Sequence, residues 1–181
     1  EAVKWYQAAA QLGLAEGQGH LADMYYFGEG VEEDLETAFL LNQLAAKQGL
    51  PRAQFHLGLM YDNGSGVEED NISAVRWYLA AAEQGHARAQ RTLGFMYRYG
   101  EGVAKENEEA IKWFRKAAEQ GDAEAQFRLS LMIIERADTD VMNKLGIFWM
   151  EQAAEHGNAE ARELIEEGRG SLNEPESLKD T

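Results

Sequence analysis

Apolar side chains recur along this chain at intervals of three and four residues, in short blocks that themselves repeat. Leu57, Met60 and Tyr61 stand at i, i+3 and i+4, and the same triplet returns as Leu21, Met24, Tyr25 and as Leu93, Met96, Tyr97, with Leu129, Met132 and Ile133 as a fourth version. Side chains so spaced share one face, so each block predicts an amphipathic helix, here helix A, turned towards a core. A second block from about Asp70 to Gln84 places Ala74, Trp77, Ala81 and Ala82 at similar intervals and predicts helix B. Paired alanines let a neighbouring helix come close, and the tryptophan is expected to cover the remaining apolar surface.

The spacing between blocks is constant. Gly13, Gly49, Gly85, Gly121 and Gly157 succeed one another every 36 residues, and so do the pairs that begin at Ala9, Ala45, Ala81, Ala117 and Ala153 and the row Trp5, Leu41, Trp77, Trp113, Trp149. A fixed period of this length marks stacked repeats. Between the helices stand GEGVEED (28 to 34), GSGVEED (64 to 70) and GEGVAKE (100 to 106). Two glycines permit positive φ in a tight reversal, and Asp34 or Asp70 can cap the following helix B. The glycine that ends helix B, as at Gly85, suits a left-handed C-cap.

Each unit is then a helical hairpin whose apolar face must be buried by its neighbours. The expected organisation is helix B of a truncated repeat (1–13), regular repeats at 14–49, 50–85 and 86–121, a divergent repeat at 122–157, a glutamate-rich capping helix at 158–170 and a disordered tail at 171–181. Because the first segment lacks its helix A, further repeats are expected upstream of Glu1.

The unit AQFHLGLMYDNGSGVEEDNISAVRWYLAAAEQG (53 to 85) resembles the Sel-one-like repeat, a relative of the tetratricopeptide repeat. The markers that carry the resemblance are Ala-Gln, Leu-Gly, Tyr, the Gly-x-Gly-Val turn, Ala, Trp and the Ala-Ala pair. Departures are Gly17 and Leu41 in the first unit, and Arg136, Ala137, Asp138 and Thr139 in place of the fourth turn, whose shape should differ. The resemblance implies an all-α fold, a right-handed α/α superhelical solenoid with helix A lining a concave face. It also implies an adaptor that binds a partner protein or peptide, in bacterial signalling, envelope or host-interaction systems or in eukaryotic quality control. An exported or periplasmic setting would follow from the resemblance alone.

Positions of helix A that vary between units are not needed for a shared core and are the expected partner-binding surface. Along this row stand Phe55, Arg91 and Phe127, then Leu59, Phe95 and Leu131, then Tyr26, Phe27, Arg98 and Tyr99 near the helix ends. Aromatic and arginine side chains are the usual energetic anchors of interfaces. The alternative is that Phe55, Leu59, Phe95 and Phe127 pack between adjacent helices A, since a wide apolar stripe is ordinary core design.

Charge narrows the partner. With 17 Lys and Arg against 32 Asp and Glu the net charge is -15, which repels nucleic acid and anionic membranes. No apolar run is long enough to insert in a membrane. Cysteine is absent, which removes thiolate sites while fitting either cytosol or periplasm. His20 and His56 are register-equivalent, but two imidazoles without a third ligand make a poor metal site. His86 and His156 fall near turns and are expected in solvent. The glycine turns lack GxxxxGK[ST], no Ser-x-x-Lys or GxSxG occurs, and the acidic runs at the turns read as caps. No cofactor and no catalysis are expected; a hydrolase-like or small-ligand-binding member of the repeat family is the alternative.

Overall fold

The computed structural model describes residues 1–172, and every regular element in them is a helix. In order these are α1 (Ala2–Gln11), α2 (Ala15–Phe27), α3 (Leu35–Lys47), α4 (Pro51–Asn63), α5 (Asn71–Glu83), α6 (Ala87–Tyr99), α7 (Asn107–Glu119), α8 (Ala123–Glu135), α9 (Asp140–Glu155) and α10 (Ala159–Leu172). Helices A are α2, α4, α6 and α8; helices B are α1, α3, α5, α7 and α9. The chain forms two compact units, one ending at Trp113 and one beginning at Phe114. The final helix continues through Leu172, two residues beyond the segment expected to cap the array, and the rest of the expected tail, 173–181, lies outside the described residues.

Helix A meets helix B through a row of small residues. In the second repeat, a Cβ added to Gly58 would lie 2.7 Å from the ring of Tyr78, so only a bare backbone admits that fully buried aromatic. The same register holds Ala22 with Asn42 in the first repeat and Ser130 with Met150 in the fourth, small opposite large in each case. The polar members are both satisfied: Asn42 Nδ2 donates to Met60 Sδ at 3.6 Å, and Ser130 Oγ donates to the Phe127 carbonyl at 2.7 Å with Met150 Sδ 3.7 Å away. Tyr78 O–H donates to Asp62 at 3.2 Å, and burial together with that carboxylate pushes its pKa up. The tryptophan row is therefore not the deepest layer. Trp113 is buried and Trp77 and Trp149 are half-buried, with Trp77 packed against the cluster of Ala45, Ala46, Ala53 and Leu57, whereas Tyr78, which follows Trp77, is fully buried.

Successive hairpins are tied by buried glutamines. Gln54, Gln90 and Gln126 donate Nε2 to the carbonyls of Ala46, Ala82 and Ala118 in the preceding helix B, at 3.2, 2.9 and 2.9 Å. Gln48 and Gln84, at the ends of α3 and α5, donate to the Oε1 atoms of Gln18 and Gln54, both at 2.7 Å. In the fourth repeat His156 Nδ1 takes that place, 2.9 Å from Gln126 Oε1. Both ends of the Gln54 and Gln126 amides are thus used, which a buried amide requires.

The turns follow the expected chemistry. Gly28, Gly64 and Gly100 close helices A in the left-handed region, and Asp34 and Asp70 accept hydrogen bonds from the first turns of α3 and α5. The second turn glycine has a separate reason: a Cβ on Gly66 would lie 2.1 Å from the Leu35 carbonyl oxygen, where the turn packs on the start of the previous helix B. Without such glycines the fourth turn does differ. Helix α8 ends at Arg136 with φ −108°, and α9 starts at Asp140 under a Thr139 cap, one turn earlier than in the regular repeats. That added turn carries the exposed Val141, and further along α9 Leu145 and Phe148 are exposed too, the three in register with Lys105, Glu109 and Lys112 of the third repeat.

Gly58→Ala should cost about 1–3 kcal/mol by forcing Tyr78 aside. Tyr78→Asn should cost more, about 3–5 kcal/mol for a lost buried aromatic. Combining them reproduces the Ala22 and Asn42 pairing, so urea denaturation of the four proteins should show the double variant at least about 1 kcal/mol more stable than the sum of the singles predicts. Gln54→Leu should cost about 1 kcal/mol by the same measurement, because two hydrogen bonds between hairpins are lost while the Ala46 carbonyl keeps the Gly49 N–H and the Gln84 amide keeps the Ala80 carbonyl.

Candidate partner-binding surface on the helices A

The variable helix-A positions separate into core and surface. Phe55 is only 3% exposed and Phe127 only 2%, so both are withdrawn from the expected binding surface. Phe55 sits among α4, α5 and α6, with the Tyr78 ring 5.7 Å away and the His86 ring stacked on it at 4.7 Å. Phe127 is buried with Met150, Ala153 and Ala161 in the second unit, with Leu131 packed half-buried against that cluster. Sequence variation misled here because neighbouring side chains compensate for it. Gly19 occupies the place of Phe55 in the first repeat, and Leu50, at the place of His86, reaches to 3.2 Å from where its Cβ would be.

Seven expected residues keep accessible surface in the first unit. Tyr26 is half-buried and Phe27 is 60% exposed, in an edge-to-face pair at 4.9 Å. Leu59 is half-buried against the core. On α6, Phe95 and the 61% exposed Tyr99 lie with rings parallel to within 3° and centroids 6.3 Å apart. Arg91 and Arg98 are half-buried, and Arg98 Nη1 donates to Asn107 Oδ1 at 3.2 Å. Arg88, Arg91, Phe95 and Tyr99 fall at i, i+3, i+7 and i+11 and so form one stripe along α6, with Arg98 beside it.

Two further features are not apparent from helix periodicity. Asp23 of α2 pairs with Arg52 of α4 and lies 3.0 Å from His56 Nδ1, while Arg52 also reaches His20 Nδ1 at 3.4 Å. The basic groups of α4 are thereby held by a carboxylate of the previous repeat. Arg88 is the other: its guanidinium lies 5.1 Å from the centroid of the Phe55 ring. The 36-residue register could have found both, since Arg52 and Arg88 are equivalent and α6 contains no Asp or Glu at all.

His86 is not a solvent histidine. Its Nδ1 accepts from the Ala89 N–H at 3.2 Å and so caps α6, and its ring is stacked on Phe55. Burial pushes its pKa down, with the nearby His56 and Arg88 adding to the effect. Among the described residues no group of three or more His, Cys, Asp or Glu is placed to hold a metal ion, and no helix is long and apolar enough to cross a membrane.

The Sel1 repeat model matches residues 1–14, 15–50, 51–86, 87–122 and 123–158. The chain belongs to the Sel1 repeat family. Among solved structures it is similar to a protective antigen of uropathogenic Escherichia coli that displays an SLR fold, at 41% identity and a TM-score of 0.80, over 88% of this chain and 34% of that one. It is similar too to a Sel1 repeat protein of Oxalobacter formigenes, at 36% identity and a TM-score of 0.84, over 91% and 48% of the two chains. The chain therefore spans between a third and a half of those relatives. An immunity protein of Pseudomonas aeruginosa matches at 27% identity and a TM-score of 0.55, over 88% and 59%. No curated protein matches the chain. The Sel1 relationship makes the fold an all-α repeat solenoid, and Sel1 repeats are generally protein-interaction modules.

The neutral imidazole alone can accept the Ala89 N–H, and a folded-state pKa below the ordinary value of about 6.5 means that the unfolded chain binds the proton first. The contribution of His86 should therefore be complete above that value and be lost as pH falls towards the folded pKa. His86→Asn, which imports the cap used at Asn158, should remove this acid-side loss, measured as denaturation midpoint against pH for both proteins.

Proposed function

We propose that this Sel1 repeat segment is a binding module without chemistry of its own, which takes a polypeptide segment of a partner protein against its helix-A side chains. The observation that carries the reading is the parallel pair of Phe95 and Tyr99 on an accessible stripe with Arg88 and Arg91. Large aromatic side chains lose little conformational freedom when covered, and aromatic and arginine anchors dominate measured interface energies. Tyr26, Phe27 and Leu59 extend the apolar contact on α2 and α4, with Arg98 at the margin of the stripe. Leu131 offers a smaller contact on α8.

A random-peptide display selection against the intact chain should yield binders that depend on this stripe. Phe95→Asp with Tyr99→Asp should weaken them at least about tenfold, as expected for two anchor residues, while helicity by circular dichroism is retained. Binders that hold the double variant as tightly as the parent would sink the proposal.

A further inference from the structure

Helix α9, in the second unit, carries an exposed apolar stripe. Val141 is 74% exposed, Leu145 37% and Phe148 48%. In the second repeat the same register holds Glu69, Ser73 and Arg76, and in the third Lys105, Glu109 and Lys112. Buried Gly146, Met150 and Ala153 hold the other side of α9 to its own unit, so the stripe points away from that core. Single apolar side chains on a surface are ordinary, whereas contiguous ones mark a contact.

The intervals between Val141, Leu145, Phe148 and Gln152 are four, three and four residues, the alternation that lets two helices pack along a shared seam. Lys144 and Glu151 stand four before and three after Phe148, on the same flank of the stripe, and both are exposed. We infer that two copies of this chain pair through α9, antiparallel about a twofold axis. Leu145 of each copy then faces Phe148 of the other, and Lys144 pairs with Glu151 twice along one edge of the seam.

Charge selects a second copy in this orientation. A twofold axis perpendicular to the helices brings like flanks together running in opposite directions, so a lysine and a glutamate seven residues apart on one flank complement themselves. With Leu145 level with Phe148 of the second copy, Lys144 comes within about 3 Å along the axis of the level of that copy's Glu151. In a parallel pair the same flank would instead meet the side that carries Met142 and Trp149. Other charges oppose the contact: each copy has a net charge of -15, and Asp140 lies near the level of the second copy's Glu155. Three apolar side chains per copy also make a small interface, so the dimer is weak and reversible.

Sedimentation equilibrium of the intact chain in about 0.15 M salt, from about 10 µM to about 1 mM, should show exchange between monomer and dimer. Val141→Asp with Phe148→Asp should leave only monomer while helicity by circular dichroism is unchanged. Lys144→Glu and Glu151→Lys should each weaken the dimer at least about fivefold, because each sets like charges at both contacts. Net charge alone predicts the opposite for Glu151→Lys, which lessens the repulsion between copies. An equimolar mixture of these two variants should recover the parental dimer, since every contact in the mixed pair again joins opposite charges. A chain that stays monomeric throughout, a dimer indifferent to Val141→Asp with Phe148→Asp, or a mixture no stronger than its separate members would each overturn the inference. Dimerisation that appears only when residues 173–181 are deleted would assign the stripe to that segment and overturn it as well.

Discussion

The close approach of helix A to helix B, backbone against ring, is the contact on which the rest depends. Gly58 lets Tyr78 lie fully buried against the bare turn of α4, and every repeat keeps a small residue at that register. The inserted side chain sets how near the two helices lie. That distance in turn fixes which residues of helix A are covered by their own helix B and which remain for the next hairpin or for a partner. When Met150 replaces the aromatic, Ser130 enlarges the other side and offsets most of the change in volume, whereas the Ala22 and Asn42 pair offsets it only in part. Cores tolerate volume-conserving exchange far better than a lone change of size.

Once hairpins are formed, the glutamine row joins them. At the ends of helices B the carbonyls of Ala46, Ala82 and Ala118 accept the N–H of Gly49, Gly85 and Gly121 and keep a second lone pair for another donor. Gln54, Gln90 and Gln126 each donate to such a carbonyl. Gln54 also accepts from the glutamine that ends the next helix B, and Gln126 is approached there by His156. The second turn glycine completes the joint, since at Gly66 any side chain would strike the Leu35 carbonyl. Loss of the glycines in the fourth turn has a visible result. The chain reverses without a left-handed residue, and α9 gains a turn that exposes Val141 where the regular repeats carry Glu33, Glu69 and Lys105.

The accessible surface is what these joints leave over. Phe55 and Phe127 vary between repeats as Phe95 does, yet are core; at the Phe55 position the cap residue changes with it, Leu50 beside Gly19 and His86 on Phe55. His86 shows the coupling most clearly: one ring stacks on Phe55, caps α6 and feels the charge of Arg88. Variation along a repeat thus mixes two causes, freedom from contact and compensation within contact, and one sequence alone does not separate them.

The hairpin, its period of 36, the glycine turns, the Asp34 and Asp70 caps and the membership of the Sel1 repeat family were all legible in the order of residues, because each rests on positions close together in the chain or repeated at constant spacing. The placement of Phe95, Tyr99, Arg91 and Arg98 on helix A was legible for the same reason. Other outcomes needed the folded chain: that Tyr78 rather than Trp77 is the deepest residue of α5, that Phe55 and Phe127 are buried, and that Asp23 engages Arg52 and His56. Those outcomes turn on a rotation of one residue, about 100° around a helix, and on contacts between side chains some thirty residues apart. Periodicity fixes which residues share a face, and tertiary contacts fix what that face meets.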